Sequence, residues 1–341
     1  MKQKSLLCLG TGGCGCRLAQ LYSQKFKTKS ILFNTAETDV ESEDVILLKD
    51  DKDNSSGSGR NPLFTLQTVA PKNKDLMVKK FDNVIKDVDR IITFSSSGGG
   101  TGLPLLSYIV DKILSKYNIP IYSIIILPFK SEGNPQCSNS VIMIKKFMEK
   151  CSKYVTPMLL RNDTIYVEGE RTTFDLTNES VVDFTDRIFT YDKFNGQRKN
   201  NSISTLDEQE FNRILEPANG FLSVNVVRLE DFKDSPISEN YNLNSAKKML
   251  IMFQTNGIGG KLKYTIDKLH EMYPSPVKIV AESKGKNIVK VLSNGLELPK
   301  FYANDISDVL KNIKTHKKKV KDSKTKFKTA TKKINDSLLK I

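Results

Sequence analysis

The chain has 341 residues, 38% apolar and 27% charged, with a formal net charge of +14. That length suits two domains and the apolar share supports a real core; no run of 18 or more apolar residues occurs, so no membrane-spanning helix is expected. Five cysteines, two inside one glycine-rich turn, and only two histidines, His270 and His316, argue for a reduced, cytoplasmic chain without a disulfide framework or a zinc site.

The chain enters a strand at Ser5 to Leu9 almost at once, leaving no room for a signal peptide. Gly10-Thr11-Gly12-Gly13-Cys14-Gly15-Cys16 then turns into a helix over 13–26. The Cys14-x-Cys16 pair reads as small residues beside a phosphate rather than as a metal site. A second strand is expected over 29–34. Lys49 to Pro62, rich in Asp, Ser, Gly and Asn, reads as a mobile functional loop. A helix over 74–88 leads to a strand over 90–95, whose Ile91-Ile92-Thr93-Phe94 is apolar and β-branched. Gly98-Gly99-Gly100-Thr101-Gly102 follows and opens a helix over 103–117, with Pro104 near its start, where a missing N–H costs little.

Glycines at a strand-to-helix turn let backbone N–H groups surround a phosphate, helped by the positive helix end. Two such turns suggest a nucleotide with several phosphates. No lysine lies in either turn, so neither is a Walker loop. The longest mostly apolar run, Ile119 to Phe129, suits a buried strand over 120–127; a helix over 138–152, a strand over 164–168 and a helix over 178–194 follow. The alternation predicts an α/β domain with a mostly parallel sheet covered on both faces, and ligands at the carboxyl ends of its strands.

Beyond the polar stretch Phe194 to Ser204, a short helix (207–215), strands near 220–229 and 248–255, a helix over 261–272 and strands near 276–282 and 287–292 outline a smaller α+β domain. Residues 304–341 form a candidate long helix without Gly or Pro. Its Ile306, Ile313, Val320, Phe327, Ile334 and Ile341 repeat every seven residues, a thin stripe because Lys317, Lys324 and Thr331 follow Leu310 on the second seam. From Lys311 to Ile341, twelve lysines face two aspartates, a net +10. Such a tail suits a polyanion or an acidic partner; a plain solubilising role is the alternative. The expected division is 1–195 with a central helix from about 178, 196–303, and 304–341.

The order of these loops resembles the tubulin/FtsZ superfamily of GTPases. Gly12, Gly13, Cys14 and Gly15 look like its first phosphate loop, and Asn34-Thr35 is similar to its Asn-Thr-Asp loop. Gly57-Ser58-Gly59-Arg60-Asn61-Pro62 resembles its Gly-x-Gly-x-Asn-Pro loop, which senses the γ-phosphate, and Gly98 to Gly102 its glycine signature. Pro128-Phe129 with Glu132-Gly133 resembles the ribose-side loop, Phe174 and Asn178 an aromatic on guanine and an amide reading its edge, and Asp207-x-x-Glu210 the acidic loop that reaches the next subunit's nucleotide. The departures are Leu103-Pro104 for the signature's last Thr-Gly, Arg17 for an asparagine, Gln136 for an arginine, and Glu210 for an aspartate. With the basic C-terminus, these features look like TubZ, the plasmid- and phage-encoded tubulins.

The resemblance implies a tubulin/FtsZ-like fold, GTP or GDP with Mg²⁺, head-to-tail self-assembly, and hydrolysis at the subunit contact through Asp207 and Glu210. In the TubZ group it further implies a cytoplasmic filament that moves plasmid DNA, its tail engaging a DNA-binding adaptor on centromere-like DNA, with no membrane partner; positioning of replicating phage DNA is the close alternative. Read from the residues alone, other readings stay open. Asp207 with Glu210 also fits a capping box, Phe174 plain core, and Asn34 and Asn61 simple turns. An NAD(P)-dependent Rossmann oxidoreductase would explain Gly10 to Gly15, but it leaves Gly98 to Gly102 unexplained and lacks an acid at the end of the second strand.

Overall fold

Apolar, β-branched runs of the first half build six parallel strands, β1 (Leu6–Thr11), β2 (Lys29–Asn34), β3 (Val45–Leu47), β4 (Arg90–Ser96), β5 (Ile121–Leu127) and β6 (Val155–Arg161). The computed structural model describes residues 5–39, 42–128, 132, 134–161, 174–191, 206–230, 241–255, 277–283, 287–300 and 302. The strand order is β3-β2-β1-β4-β5-β6. All seven residues of β5 are buried, as a strand covered on both faces requires. The order reverses direction between β1 and β4, so a crevice opens there at the carboxyl ends.

Helices α1 (Gly12–Phe26), α2 (Lys74–Asp82), α3 (Gly102–Lys112), α4 (Asn134–Cys151) and α5 (Phe174–Phe189) belong to this half of the chain. In α1 the buried Gly12, Gly15, Cys16, Leu18, Ala19 and Tyr22 recur at helical spacing and form the face turned to the core. Full burial of a side chain such as Leu18 contributes about 1.5–3 kcal/mol. The Tyr22 hydroxyl donates to Asp186 Oδ1 at 3.1 Å, tying α1 to α5. Tyr122 of β5 stacks on Phe189 of α5, ring centroids 4.6 Å apart.

Four local features depart from expectation. The sixth strand is Val155–Arg161; it carries Pro157, which an edge strand tolerates. The three-residue edge strand β3 was too short to show a pattern. The loop before Pro62 is well tied: Gly57 N donates to the Thr35 carbonyl at 2.8 Å, Ala36 bridges Ser56, and Lys72 bonds Asp50 and Asp53. Helical turns also begin at Pro62, ahead of the expected residue 74, and pass through a π-turn at Thr65–Val69.

The second sheet contains β7 (Phe221–Arg228), β8 (Lys248–Thr255), β9 (Val277–Ser283) and β10 (Ile288–Leu296) in the order β7-β10-β8-β9. β10 runs antiparallel to both neighbours, and β8 and β9 are parallel. Helix α6 (Glu208–Leu215) is fastened at its carboxyl end. Buried Asn294 donates to the carbonyls of Ile214 and Glu216 at 2.7 and 2.8 Å, and Thr156 of β6 donates to that of Leu215 at 2.5 Å. The chain divides into two compact units, Met1–Lys300 and Phe301–Ile341. Among the described residues no helix is long and apolar enough to cross a membrane. The expected strand 164–168, the helix 261–272 and nearly all of the C-terminal helix fall outside the described residues.

Candidate functional site

At the β1–β4 crevice the two glycine turns meet. Gly12 has φ +70°, and a Cβ there would lie 2.8 Å from the Gly102 nitrogen, so only glycine lets the turns touch. Thr11 Oγ1 donates to the Gly102 carbonyl at 3.0 Å, and Thr65 Oγ1 to that of Gly100 at 2.7 Å. The loop Gly57–Asn61 lies on the second turn. A Cβ on Gly100 would stand 2.3 Å from Ser58 Oγ and 2.6 Å from the Asn61 nitrogen.

These loops enclose a cavity of about 590 Å³, a size suited to a nucleotide. Its walls include Gly12, Gly13 and Cys14 of the first turn, Gly99 to Gly102 of the second, Gly57 to Arg60 of the overhanging loop, Thr35 to Ala36, Arg17, Asp39 and Glu132. A hydroxyl chain crosses it. Thr35 Oγ1 meets Thr101 Oγ1 at 2.7 Å, and Thr101 Oγ1 donates to Ser58 Oγ at 3.1 Å. A hydroxyl has one proton, so Thr35 donates to Thr101. Arg17 Nη2 donates to the Asp39 carbonyl at 2.8 Å, strapping α1 to the turn after β2. Burial pushes the Cys14 thiol up to about 11, with Arg17 opposing and Glu132 reinforcing the shift, so Cys14 stays a neutral thiol at pH 7.

The structure therefore gathers Gly12, Gly13, Cys14, Gly59, Gly99, Gly100, Thr101, Gly102 and Glu132 around one cavity. Others stand behind it. Gly15 lies under β4, where a Cβ would fall 2.2 Å from the Phe94 carbonyl oxygen. Gly98 packs on Pro128 and Gln136. Asn34 is fully buried and spends its amide on the Ala36 carbonyl and the Thr35 N–H, both at 2.9 Å, which shapes the turn bearing Thr35. Asn61 caps the helical turn at Pro62, accepting from the Leu63 and Phe64 nitrogens.

Asn178 is half-buried on α5 and is not among the lining residues; Phe174 begins that helix, and its side chain lies outside the described residues, as do Phe129 and Gly133. Asp207 and Glu210 are likewise not among the residues that line the cavity. Asp207 Oδ1 accepts from the Glu210 nitrogen at 2.7 Å, and Glu210 Oε2 from the Asp207 nitrogen at 3.3 Å, a reciprocal capping box on α6. Sequence reasoning named Thr35 and Ser58 only as members of their loops and did not assign Asp39 or Ser56 to the site. Their signal was proximity to Asn34 and Gly59, since residues flanking a turn share its cavity.

Two glycine turns converge at the switch point of the parallel sheet and line one cavity at its carboxyl edge, an α/β arrangement. Residues 5–167 match the family model described as Tubulin/FtsZ family, GTPase domain. The Tubulin-like protein CetZ of Methanothrix thermoacetophila is 27% identical over 165 residues, covering 42% of this chain and 44% of that protein; the match thus spans less than half of the curated relative. CetZ2 from Haloferax volcanii, solved as a GTPγS-bound protofilament, superposes with a TM-score of 0.71 at 17% identity over 92% of this chain and 99% of that one. A GTPγS-form protofilament of Bacillus thuringiensis serovar israelensis TubZ gives 0.70 at 15% identity over 92% and 93%. The fold is that of tubulin and FtsZ, while the sequence likeness is to CetZ as the structural likeness is to both CetZ and TubZ.

Proposed function

We propose that the chain binds GTP between its two glycine turns and hydrolyses it when a second copy docks head-to-tail, building a filament. The observation that carries this reading is the closure of three loops over one cavity, with Asp207 and Glu210 on a separate, exposed turn. Backbone N–H groups of both turns hold the phosphates, and Thr101 adds a hydroxyl. Asn34 shapes the site, Asn178 and Phe174 serve the base, and Pro128 with Glu132 serves the ribose side. Among the described residues no cluster of three His, Cys, Asp or Glu offers a metal cage. Mg²⁺ fits as an ion held mainly by phosphates and water, with the Ser58 hydroxyl and the Asp39 carboxylate as nearby oxygen donors. When bound it neutralises developing charge on the phosphates. Asp207 and Glu210 of the neighbouring copy orient the attacking water. Such a contact does not close on itself and so propagates.

In this reading residues 1–195 bind the nucleotide, 196–303 present the acidic turn, and 304–341 form the recruiting tail. The tail's twelve lysines favour a DNA-segregating filament of TubZ type, reached through a DNA-bound adaptor in the cytoplasm, with phage DNA as the alternative cargo. The sequence match to CetZ equally favours a cytoskeletal filament without DNA cargo. Sedimentation with GTP-Mg²⁺ against GDP tests the shared core of both readings. GTP-dependent pelleting is expected, and a protein that stays in the supernatant with GTP bound contradicts assembly. Deleting residues 316–341 then separates the two readings: lost recruitment to centromere-like DNA supports the first, and unchanged filaments with no DNA association before or after deletion support the second.

A further inference from the structure

We propose that Arg90 is a positioning residue for the acidic turn: it holds Glu208, and with it the start of α6, so that Asp207 and Glu210 present their carboxylates to a second copy. This deepens the hydrolytic reading above and rests on it. The two ends of β4 serve different places. Ser96, its last residue, lines the cavity. Arg90, its first, pairs in register with Leu6, the first residue of β1. Seven residues of strand span about 20 Å, so Arg90 marks the sheet edge opposite the cavity. There its guanidinium meets the start of α6. Nη1 donates to the Phe189 carbonyl at 2.9 Å, and Nη2 stands 3.9 Å from Glu208 Oε1.

Phe189 is the last residue of α5, and Glu208 is the first of α6. A cation between them meets the negative end of one helix and a carboxylate in the first turn of the next. The Arg90 side chain is only 19% exposed, which suits a charge kept for fixed partners. A second tie joins the same two helix ends: the Tyr191 hydroxyl donates to the Leu206 carbonyl, and the Tyr191 ring packs on Phe211, centroids 5.7 Å apart. At the far end of α6, Lys248 donates to the Arg213 carbonyl at 2.6 Å, while Asn294 and Thr156 take the carbonyls of Ile214, Leu215 and Glu216. The helix is thus gripped from β6, β8 and β10 at its carboxyl end and directed from β4 at its acidic end. The capping box sets the shape of the turn locally; Arg90 sets where that shape points. The Glu208 side chain is 40% exposed, so the ion pair adds little stability. A small misplacement of a group that orients water is nonetheless costly to a rate.

The test uses Arg90→Gln, Arg90→Lys and Glu208→Gln in the full chain. GTP affinity of the unassembled subunit, GTPγS-driven pelleting and phosphate release per assembled subunit are measured on each. Affinity and pelleting should stay within about twofold, while release falls about tenfold in Arg90→Gln and lysine restores part of the loss. Release should also fall in Glu208→Gln, and the double variant should be no slower than Arg90→Gln alone, as two members of one contact require. Mixing then shows which face is damaged. Arg90→Gln copies blended with Asp207→Ser copies should stay slow, because both lack a working acidic turn. Recovery in the blend would place the Arg90 defect in its own cavity and overturn the assignment. Wild-type release in Arg90→Gln or in Glu208→Gln, or a loss of affinity as large as the loss of release, overturns it too. Should Arg90→Gln not fold, Glu208→Gln carries the same blend. Wild-type release in Asp207→Ser would instead overturn the hydrolytic reading, and this assignment with it.

Discussion

The cavity and the turn at Asp207 are built on opposite plans. Around the cavity, groups distant in sequence interlock: Thr11 reaches Gly102, Thr65 reaches Gly100, and Asn139 spans Arg60 and Gly98. At Asp207 the cap itself is local, a carboxylate and a glutamate three residues apart satisfying each other's backbone N–H groups. The first region is a preorganised cradle, and the second is an exposed acidic turn on a helix anchored through Asn294. The proposed binding cavity is lined within one chain, whereas the proposed hydrolytic acids are not among its lining residues. That separation is what a reaction completed between copies requires.

The largest effect is expected on the cradle. Gly15→Ala places a methyl 2.2 Å from the Phe94 carbonyl oxygen, so backbone must shift; a loss of about 3 kcal/mol should appear in urea unfolding. A wild-type midpoint would mean that the α1–β4 contact is slack. At the other region, two substitutions separate capping from chemistry. Asp207→Ala removes the cap and should cost about 0.5–2 kcal/mol. Asp207→Ser keeps a capping oxygen but removes the charge, so stability holds while assembled phosphate release falls about a hundredfold. Unchanged turnover in Asp207→Ser would reduce Asp207 to a cap and break the contrast.

A smaller effect follows from burial. The thiols of Cys8, Cys16 and Cys151 are pushed up to about 12, and that of Cys14 to about 11, from an ordinary 9.0, chiefly by burial. The native state therefore holds protons that the unfolded state has released. This stability is fully present below pH 9 and drains away as pH climbs toward 12. The buried Tyr22, Tyr122 and Tyr241 shift the same way. Urea midpoints should hold to about pH 8 and drop by about pH 10.5; a flat profile would contradict the burial of these thiols. The smallest effect lies outside both regions. Lys27 ends α1 with φ 55°, and Lys27→Gly should raise stability by about 0.5–1 kcal/mol.

Much of the first sheet was legible because a doubly covered parallel strand is a continuous apolar run, as in β5, and because glycine turns mark the carboxyl ends of β1 and β4. β6 escaped because Pro157 interrupts its run, which is tolerable only on an edge that sequence cannot identify. In the site, the glycines that face the cavity were readable from the motif. Which glycines face it was not: Gly13 lines the cavity while Gly15 packs under Phe94 two residues later, a difference set by helix phase against β4. Asn34 and Asn61 act on backbone N–H groups, a role shared by turn residues everywhere. Ser58 and Thr35 line the cavity and join Thr101 in a hydroxyl chain, contacts of residues 43 and 66 positions apart that no local pattern reveals.

The most direct test of hydrolysis completed between copies is phosphate release per subunit, measured with GTP-Mg²⁺ across a range of protein concentrations alongside light scattering. The separation of cradle and acidic turn predicts slow release below a threshold concentration and a steep rise where scattering begins. Release that is equally fast per subunit at every concentration would show that one copy hydrolyses GTP alone and would contradict the central claim.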